Sequence, residues 1–212
     1  MIIYLIVAII AYSIGSISFS VIISKKMAGF DVREKGSGNA GTTNMLRNVG
    51  KKAAALTLLC DVLKGVIAIV IAIIIGKVNK ELNLALLVQI SAIFVVIGHT
   101  FPVFFGFKGG KGVATSIGVL LLINWKIGLI CLVFGIILIA LTQMVSLGSI
   151  SSAILFPVLT LFINECYIVP GNYFLFSIVI AVFITYNHRS NTKRLLSGTE
   201  NKISFKKKNE NI

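Results

Sequence analysis

The chain has 212 residues, of which 57% are hydrophobic and only 13% charged, and its mean hydropathy is +0.97. A water-soluble domain carries about a quarter charged residues, so a water-facing surface over the whole chain is excluded. The net charge of +13 is confined to short segments between apolar runs and to the C-terminus, which is not the one-faced basic surface of a nucleic-acid binder.

In chain order, the apolar runs cover residues 2–23, 53–75, 84–105, 113–123, 127–145, 147–163 and 173–186. They are continuous rather than alternating, so they read as helices and not as barrel strands. In lipid, each must satisfy its own backbone. The first run has no basic segment before it and exceeds a signal-peptide core, so it is expected to be retained as a span. Within it, Ser13, Gly15, Ser16 and Ser20 form a small-residue stripe suited to close helix packing. The run over 113–123 is short for a hydrocarbon core of about 30 Å, which leaves it tilted, broken or re-entrant.

Lysine and arginine set the orientation. Loop 24–52 carries Lys25, Lys26, Arg33, Lys35, Arg47, Lys51 and Lys52, and the segment after Tyr186 carries Arg189, Lys193, Arg194, Lys202 and Lys206 to Lys208. Lys108 and Lys111 follow the third run, while only Lys77, Lys80 and Lys126 fall on the opposite side. The expected fold is an all-α polytopic bundle of about seven transmembrane helices, with five or six as the fallback count. The N-terminus is then outside and the C-terminus cytoplasmic. Residues 1–203 form one integral-membrane domain and 204–212 a basic tail. Cys60, Cys131 and Cys166 are too scattered for a disulfide framework or a metal site.

Three polar groups interrupt the apolar pattern. The first is Gly36-Ser37-Gly38-Asn39-Ala40-Gly41-Thr42-Thr43-Asn44, followed by Arg47. Its glycines allow backbone N–H groups to converge on a phosphate, helped by a helix start near Thr43; a flexible turn is the other reading. The second joins Gly98-His99-Thr100-Phe101-Pro102 to Lys108-Gly109-Gly110-Lys111-Gly112. Two ammonium groups beside exposed amides suit an anion, or the segment is simply a basic cytoplasmic loop. The third is Asn187-His188-Arg189-Ser190-Asn191, with Arg194 and Gly198-Thr199-Glu200. A helix through it puts His188 and Asn191 on one face, and Asn191 with Arg194. A stop-transfer sequence explains its charges but does not require His188 or Asn191.

Inside the second run, Asp61 and Lys64 are expected to pair toward the bundle, since an isolated charge at the helix centre costs about 2.5–3.5 kcal/mol. Ser146 and Ser149 return to the cytoplasmic side. There is no Gly-x-Ser-x-Gly elbow, no His-x-x-x-x-Asp pair and no metal-ligand spacing, so neither a serine acyl-enzyme nor a metal is expected, and no cofactor is implied. A transporter for an anionic solute is the main alternative. It is disfavoured because the polar groups gather on one side instead of crossing the midplane, and a plain scaffold leaves them unexplained.

Taken in order between matching spans, these groups resemble the acyl-phosphate:glycerol-3-phosphate acyltransferases, integral-membrane enzymes of bacterial phospholipid synthesis. The resemblance covers nearly the whole chain; Thr42 and Ser18 depart from it at positions that carry no chemistry. It implies seven spans in the cell (inner) membrane and an active site facing the cytoplasm. It also implies acyl transfer from acyl phosphate to the 1-hydroxyl of glycerol 3-phosphate, giving lysophosphatidic acid and phosphate. On this reading His188, Ser37 and Asn191 serve the chemistry. Gly38, Asn39, Gly41, Thr43, Asn44, Arg47, His99, Lys108, Lys111, Ser149 and Arg194 bind the substrates. The donor phosphate sits in the turn over 38–43 with Ser149, and glycerol 3-phosphate on Arg47, Lys111, Ser37, His188 and Asn191. Membrane lipids are the expected surroundings, nucleic acid is not a partner, and the oligomeric state is not specified.

Overall fold

The computed structural model describes residues 1–163 and 169–203; Cys166 and the tail with Lys206 to Lys208 lie outside them. Among the described residues there is no strand. The helices are α1 (Ile2–Gly15), α2 (Phe19–Ala28), α3 (Thr42–Asn48), α4 (Lys51–Val78), α5 (Leu84–Thr100), α6 (Val113–Ile123), α7 (Trp125–Thr142), α8 (Val145–Phe162), α9 (Phe174–Asn187) and α10 (Arg189–Leu196).

Among the described residues, five segments are long and apolar enough to cross a membrane: Ile2–Ala28, Lys51–Val78, Leu84–Phe105, Trp125–Thr142 and Val145–Phe162. Helices α6 and α9 are apolar but shorter, with 11 and 14 residues, or about 16 and 21 Å at 1.5 Å per residue. Caps fix several of these ends. Asn83 accepts from Leu86 N–H at 3.0 Å to start α5, and Asn124 accepts from Ile127 N–H at 3.2 Å to start α7.

Lipid tails are as apolar as leucine, so helix association here rests on close packing at small residues. Helix α1 lies along α5, and α4 along α6. A Cβ added at Gly15 would stand 2.2 Å from the Val95 carbonyl oxygen, and one at Gly98 2.3 Å from that of Tyr12. Gly65 and Gly118 play the same part between α4 and α6. The core runs through the bundle from Val7 and Ala11 across Ile69, Leu87 and Val95 to Ile127, Phe156 and Ile180. Many leucines and isoleucines of α4, α7 and α8 face outward, as lipid contact requires.

The first apolar run is not one continuous helix. It breaks after Gly15, and α2 begins at Phe19. A Gly/Ser pair is a known kink element, but the break is completed from elsewhere: Lys64 Nζ donates to the Ile17 carbonyl at 3.0 Å. The same ammonium stands 2.8 Å from Asp61 Oδ1, with both side chains only 2% exposed. The expected inward pair therefore exists and also caps the broken helix. Of the small-residue stripe, Gly15 makes the helix contact. Ser16 and Ser20 bond outward instead, Ser20 Oγ donating to the Ala40 carbonyl at 2.9 Å.

Candidate active site

The loop between α2 and α4 folds around one amide. Asn44 Nδ2 donates to the carbonyls of Val32, Lys35 and Asn39 at 2.9–3.1 Å, and its Oδ1 accepts from Ser37 N–H at 3.1 Å and Asn48 Nδ2 at 2.9 Å. An amide has two N–H groups and two lone pairs, so Asn44 has no capacity left for a ligand. Expected to bind substrate, it is instead the staple of its own loop. Gly36 turns beneath it at φ +62°, where a Cβ would stand 2.4 Å from Asn44 Oδ1; only glycine fits.

Part of the amide set expected for a phosphate nest is engaged. Ser37 N–H goes to Asn44, Gly38 N–H to the Lys35 carbonyl, and Ala40 N–H to the Gly109 carbonyl at 3.2 Å. Gly38, Gly41 and Thr43 do not line the cavity described below. Asn39 does line it, and its side chain donates to Gly109 O at 3.3 Å.

Those contacts tie the first loop to the lysine loop. Gly109 N–H donates to Thr100 O at 3.1 Å and Gly110 N–H to His99 O at 3.0 Å, which closes residues 101–108 into a compact loop. The His99 ring packs beneath it: a Cβ at Gly110 would stand 2.1 Å from His99 Nε2, while His99 Nδ1 lies 3.5 Å from Asp61 Oδ1. His99 is 6% exposed and faces the loop, not the cavity.

The third group follows α9. No single helix runs through it, since α9 ends at Asn187 and α10 starts at Arg189, yet His188 at the junction and Asn191 are both buried. Lys111 Nζ donates to Asn191 Oδ1, Asn191 Nδ2 donates to Glu200 Oε1 at 2.8 Å, and Arg194 Nε donates to Glu200 Oε2 at 2.9 Å. Glu200 is thus the hub that fixes Asn191 and Arg194. Its signal in the sequence was a lone carboxylate in a basic tail. His188 Nδ1 lies 2.8 Å from the Ile184 carbonyl. A carbonyl only accepts, so Nδ1 carries the proton and Nε2 presents a lone pair.

The three groups enclose a cavity of about 790 Å³. Its walls include Ser37, Asn39, Arg47, Lys108, Lys111, Asn187, Arg189, Arg194 and Lys202 and, among the described residues, no carboxylate. Thr100 Oγ1 and Asn187 Nδ2, both on this wall, are buried without a protein partner. Arg47 reaches across to the Asn201 carbonyl at 3.1 Å. The crowding of cations shows in Lys111, whose ammonium is pulled down to about 8, first by burial and then by Arg194 and Arg47, against Glu200. His188 is pushed down to about 4, chiefly by burial, with Lys111 adding to the fall and the Ile184 carbonyl opposing it. It is neutral at pH 7. Ser149 stands apart, on the wall of an apolar slot between α6, α7, α8 and α9 with Val113, Phe156 and Ile184.

Fold and site together define a multi-pass helical membrane protein with a cation-lined pocket at one end of the bundle. The family model for glycerol-3-phosphate acyltransferase matches residues 5–198. The chain is 44% identical to the glycerol-3-phosphate acyltransferase of Clostridioides difficile (strain 630), over 96% of this chain and 97% of that one. It is 47% identical to that of Thermoanaerobacter sp. (strain X514), over 94% and 95%. It superposes with a TM-score of 0.83 and 37% identity on the crystal structure of PlsY (YgiH), an integral membrane glycerol 3-phosphate acyltransferase, in its glycerol 3-phosphate form. That match covers 95% of this chain and 96% of the other. The lysophosphatidic acid form of PlsY gives 0.81 at 36% identity, covering 95% of each chain. The chain belongs to the glycerol-3-phosphate acyltransferase family.

Proposed function

We propose that the chain transfers a fatty acyl group from acyl phosphate to the 1-hydroxyl of glycerol 3-phosphate, at the cytoplasmic face of the cell membrane. The supporting observation is the convergence of three separated stretches on one cavity walled by six cations, Arg47, Lys108, Lys111, Arg189, Arg194 and Lys202. Two phosphates placed side by side repel each other, and such a wall offsets the repulsion.

In this reading Arg47, Lys111 and Ser37 hold glycerol 3-phosphate, with Asn191 behind the wall orienting Lys111, while Lys108 and Arg194 face the donor phosphate. Asn39 completes the wall. Gly38, Gly41, Thr43, Asn44 and His99 build the frame behind it. The acyl chain occupies the apolar slot beside Ser149. The hydroxyl oxygen attacks the acyl carbon, the new ester C–O bond forms, and the bond to phosphate breaks. The hydroxyl proton passes to a donor phosphate oxygen and leaves with the phosphate, while neutral His188 holds the wall in place from behind Asn187 and Arg189. Acyl phosphate is already activated, so positioning and charge carry the reaction without a protein nucleophile.

The bundle is read as seven crossings, with α6 and α9 as short or tilted passes, the N-terminus outside and residues 1–203 as one domain. Purified protein offered acyl phosphate, acyl-CoA and acyl-carrier-protein donors side by side tests the donor. Phosphate release from acyl phosphate that requires glycerol 3-phosphate is the expected result. Release without the acceptor, or use of a thioester donor alone, overturns it.

A further inference from the structure

Arg33 read in the sequence as one more cytoplasmic charge, yet its guanidinium bridges two loops. Asp31 takes its Nε at 3.0 Å and its Nη2 at 2.8 Å, and also accepts from Arg33 N–H at 3.0 Å. The remaining fork atom, Nη1, donates to the carbonyls of Phe105 at 2.5 Å and Lys108 at 3.1 Å. Those two carbonyls bracket Gly106 and Phe107, at φ +66° and +58°.

A phenylalanine in the left-handed region costs about 1–3 kcal/mol and persists only where its surroundings over-determine it. Phe107 N–H donates to Pro102 O at 2.9 Å, and the Arg33 fork supplies the rest of that restraint. Lys108, Gly109, Gly110 and Lys111 follow at once, all on the cavity wall. Arg33 itself is not on that wall. With four of its five N–H groups engaged inside the protein, it has little left for a substrate.

We propose that Arg33, aligned by Asp31, is a positioning residue for acyl transfer: its bonds across Gly106–Phe107 set the lysine loop so that Lys108 and Lys111 meet phosphate. This rests on the reading of the cavity given above. A lysine cannot substitute, since one ammonium does not make the planar fork that grips a carboxylate and two carbonyls together. The neighbouring Lys25, 3.7 Å from Asp31 and 62% exposed, is too solvated to take over.

Steady-state kinetics on R33A, R33K, D31N, F107G and R33A/F107G test the clamp, with both substrates varied. A loop displaced by about 1 Å loses up to about a hundredfold. For R33A we expect a rise of about tenfold or more in KM for glycerol 3-phosphate and for acyl phosphate alike, because Lys111 and Lys108 ride on the same loop. R33K should behave like R33A, and D31N should fall between. Glycine at 107 removes the strain, so adding R33A to F107G should cost much less than R33A alone. Wild-type behaviour of R33K overturns the proposal, and so do additive effects of R33A and F107G. Calorimetric binding of glycerol 3-phosphate to wild type and R33K, both retaining the charge, decides the clamp even if the donor assignment fails. It also separates the two failures, because a wrong donor leaves the binding difference in place.

Discussion

Lys111 touches Asn191 and is crowded by Arg47 and Arg194, which makes it the side chain whose charge is most exposed to pH. Its ammonium, held at about 8, grips phosphate when protonated. kcat/KM for glycerol 3-phosphate should therefore be full below about pH 8 and fall as pH rises through it. K111R keeps its charge at any accessible pH and should abolish that alkaline limb, even at a lower rate. K111A should raise KM for glycerol 3-phosphate by about tenfold to a hundredfold, the worth of a charge-assisted hydrogen bond of about 1.5–3 kcal/mol. A similar loss for the acyl donor would remove Lys111 from the acceptor subsite. At this scale the sequence was legible in the residue types and misleading in their duties. Ser37, Arg47, Lys108, Lys111 and Arg194 reach the cavity, whereas Asn44 spends itself on its own loop, and neither Glu200 nor Arg33 shows its bonding role in the sequence. Asparagine and arginine offer the same groups to ligand and backbone alike, and only the folded loop shows which one takes them.

At the scale of the helix, α4 carries the least replaceable polar atoms. Asp61 and Lys64 are both 2% exposed and lie 2.8 Å apart, and Lys64 also caps the broken end near Ile17. D61N leaves a cation without its carboxylate and should destabilise the fold by about 3–5 kcal/mol. D61N/K64M should lose less than D61N, although the Ile17 carbonyl then goes unmet. Melting in detergent checks this, and a double variant no better than D61N would show that the pair is not what matters. The inward pairing was readable from the i, i+3 spacing within an apolar run. The helix break was not, because the partner of the freed carbonyl comes from 47 residues away. The short helix over 113–123 was readable to the residue, since Gly112 and Asn124 end it on either side.

Across the whole molecule, loops that follow α2, α5 and α9 meet at one end. Labelling of single cysteines placed at Ser37, Lys108 and Ser190 in a cysteine-free background should report one side of the membrane, and at Lys80 the other. Reporters from the first three positions on opposite sides would dismantle the site. The polytopic helical character followed from composition alone, and the sidedness of lysine and arginine pointed to the shared face. What composition could not supply was depth, because two of the apolar helices are too short to declare a crossing by length. The carboxylate-free wall has a further consequence for turnover. A chamber with six cations, of which Glu200 pairs Arg194, is never indifferent to what leaves it, and liberated orthophosphate fits it as well as an incoming head group does. Inorganic phosphate should therefore act as a product inhibitor, competing with glycerol 3-phosphate, and the brake should ease as salt screens the chamber. A cell starved of phosphate would run this step with the brake released.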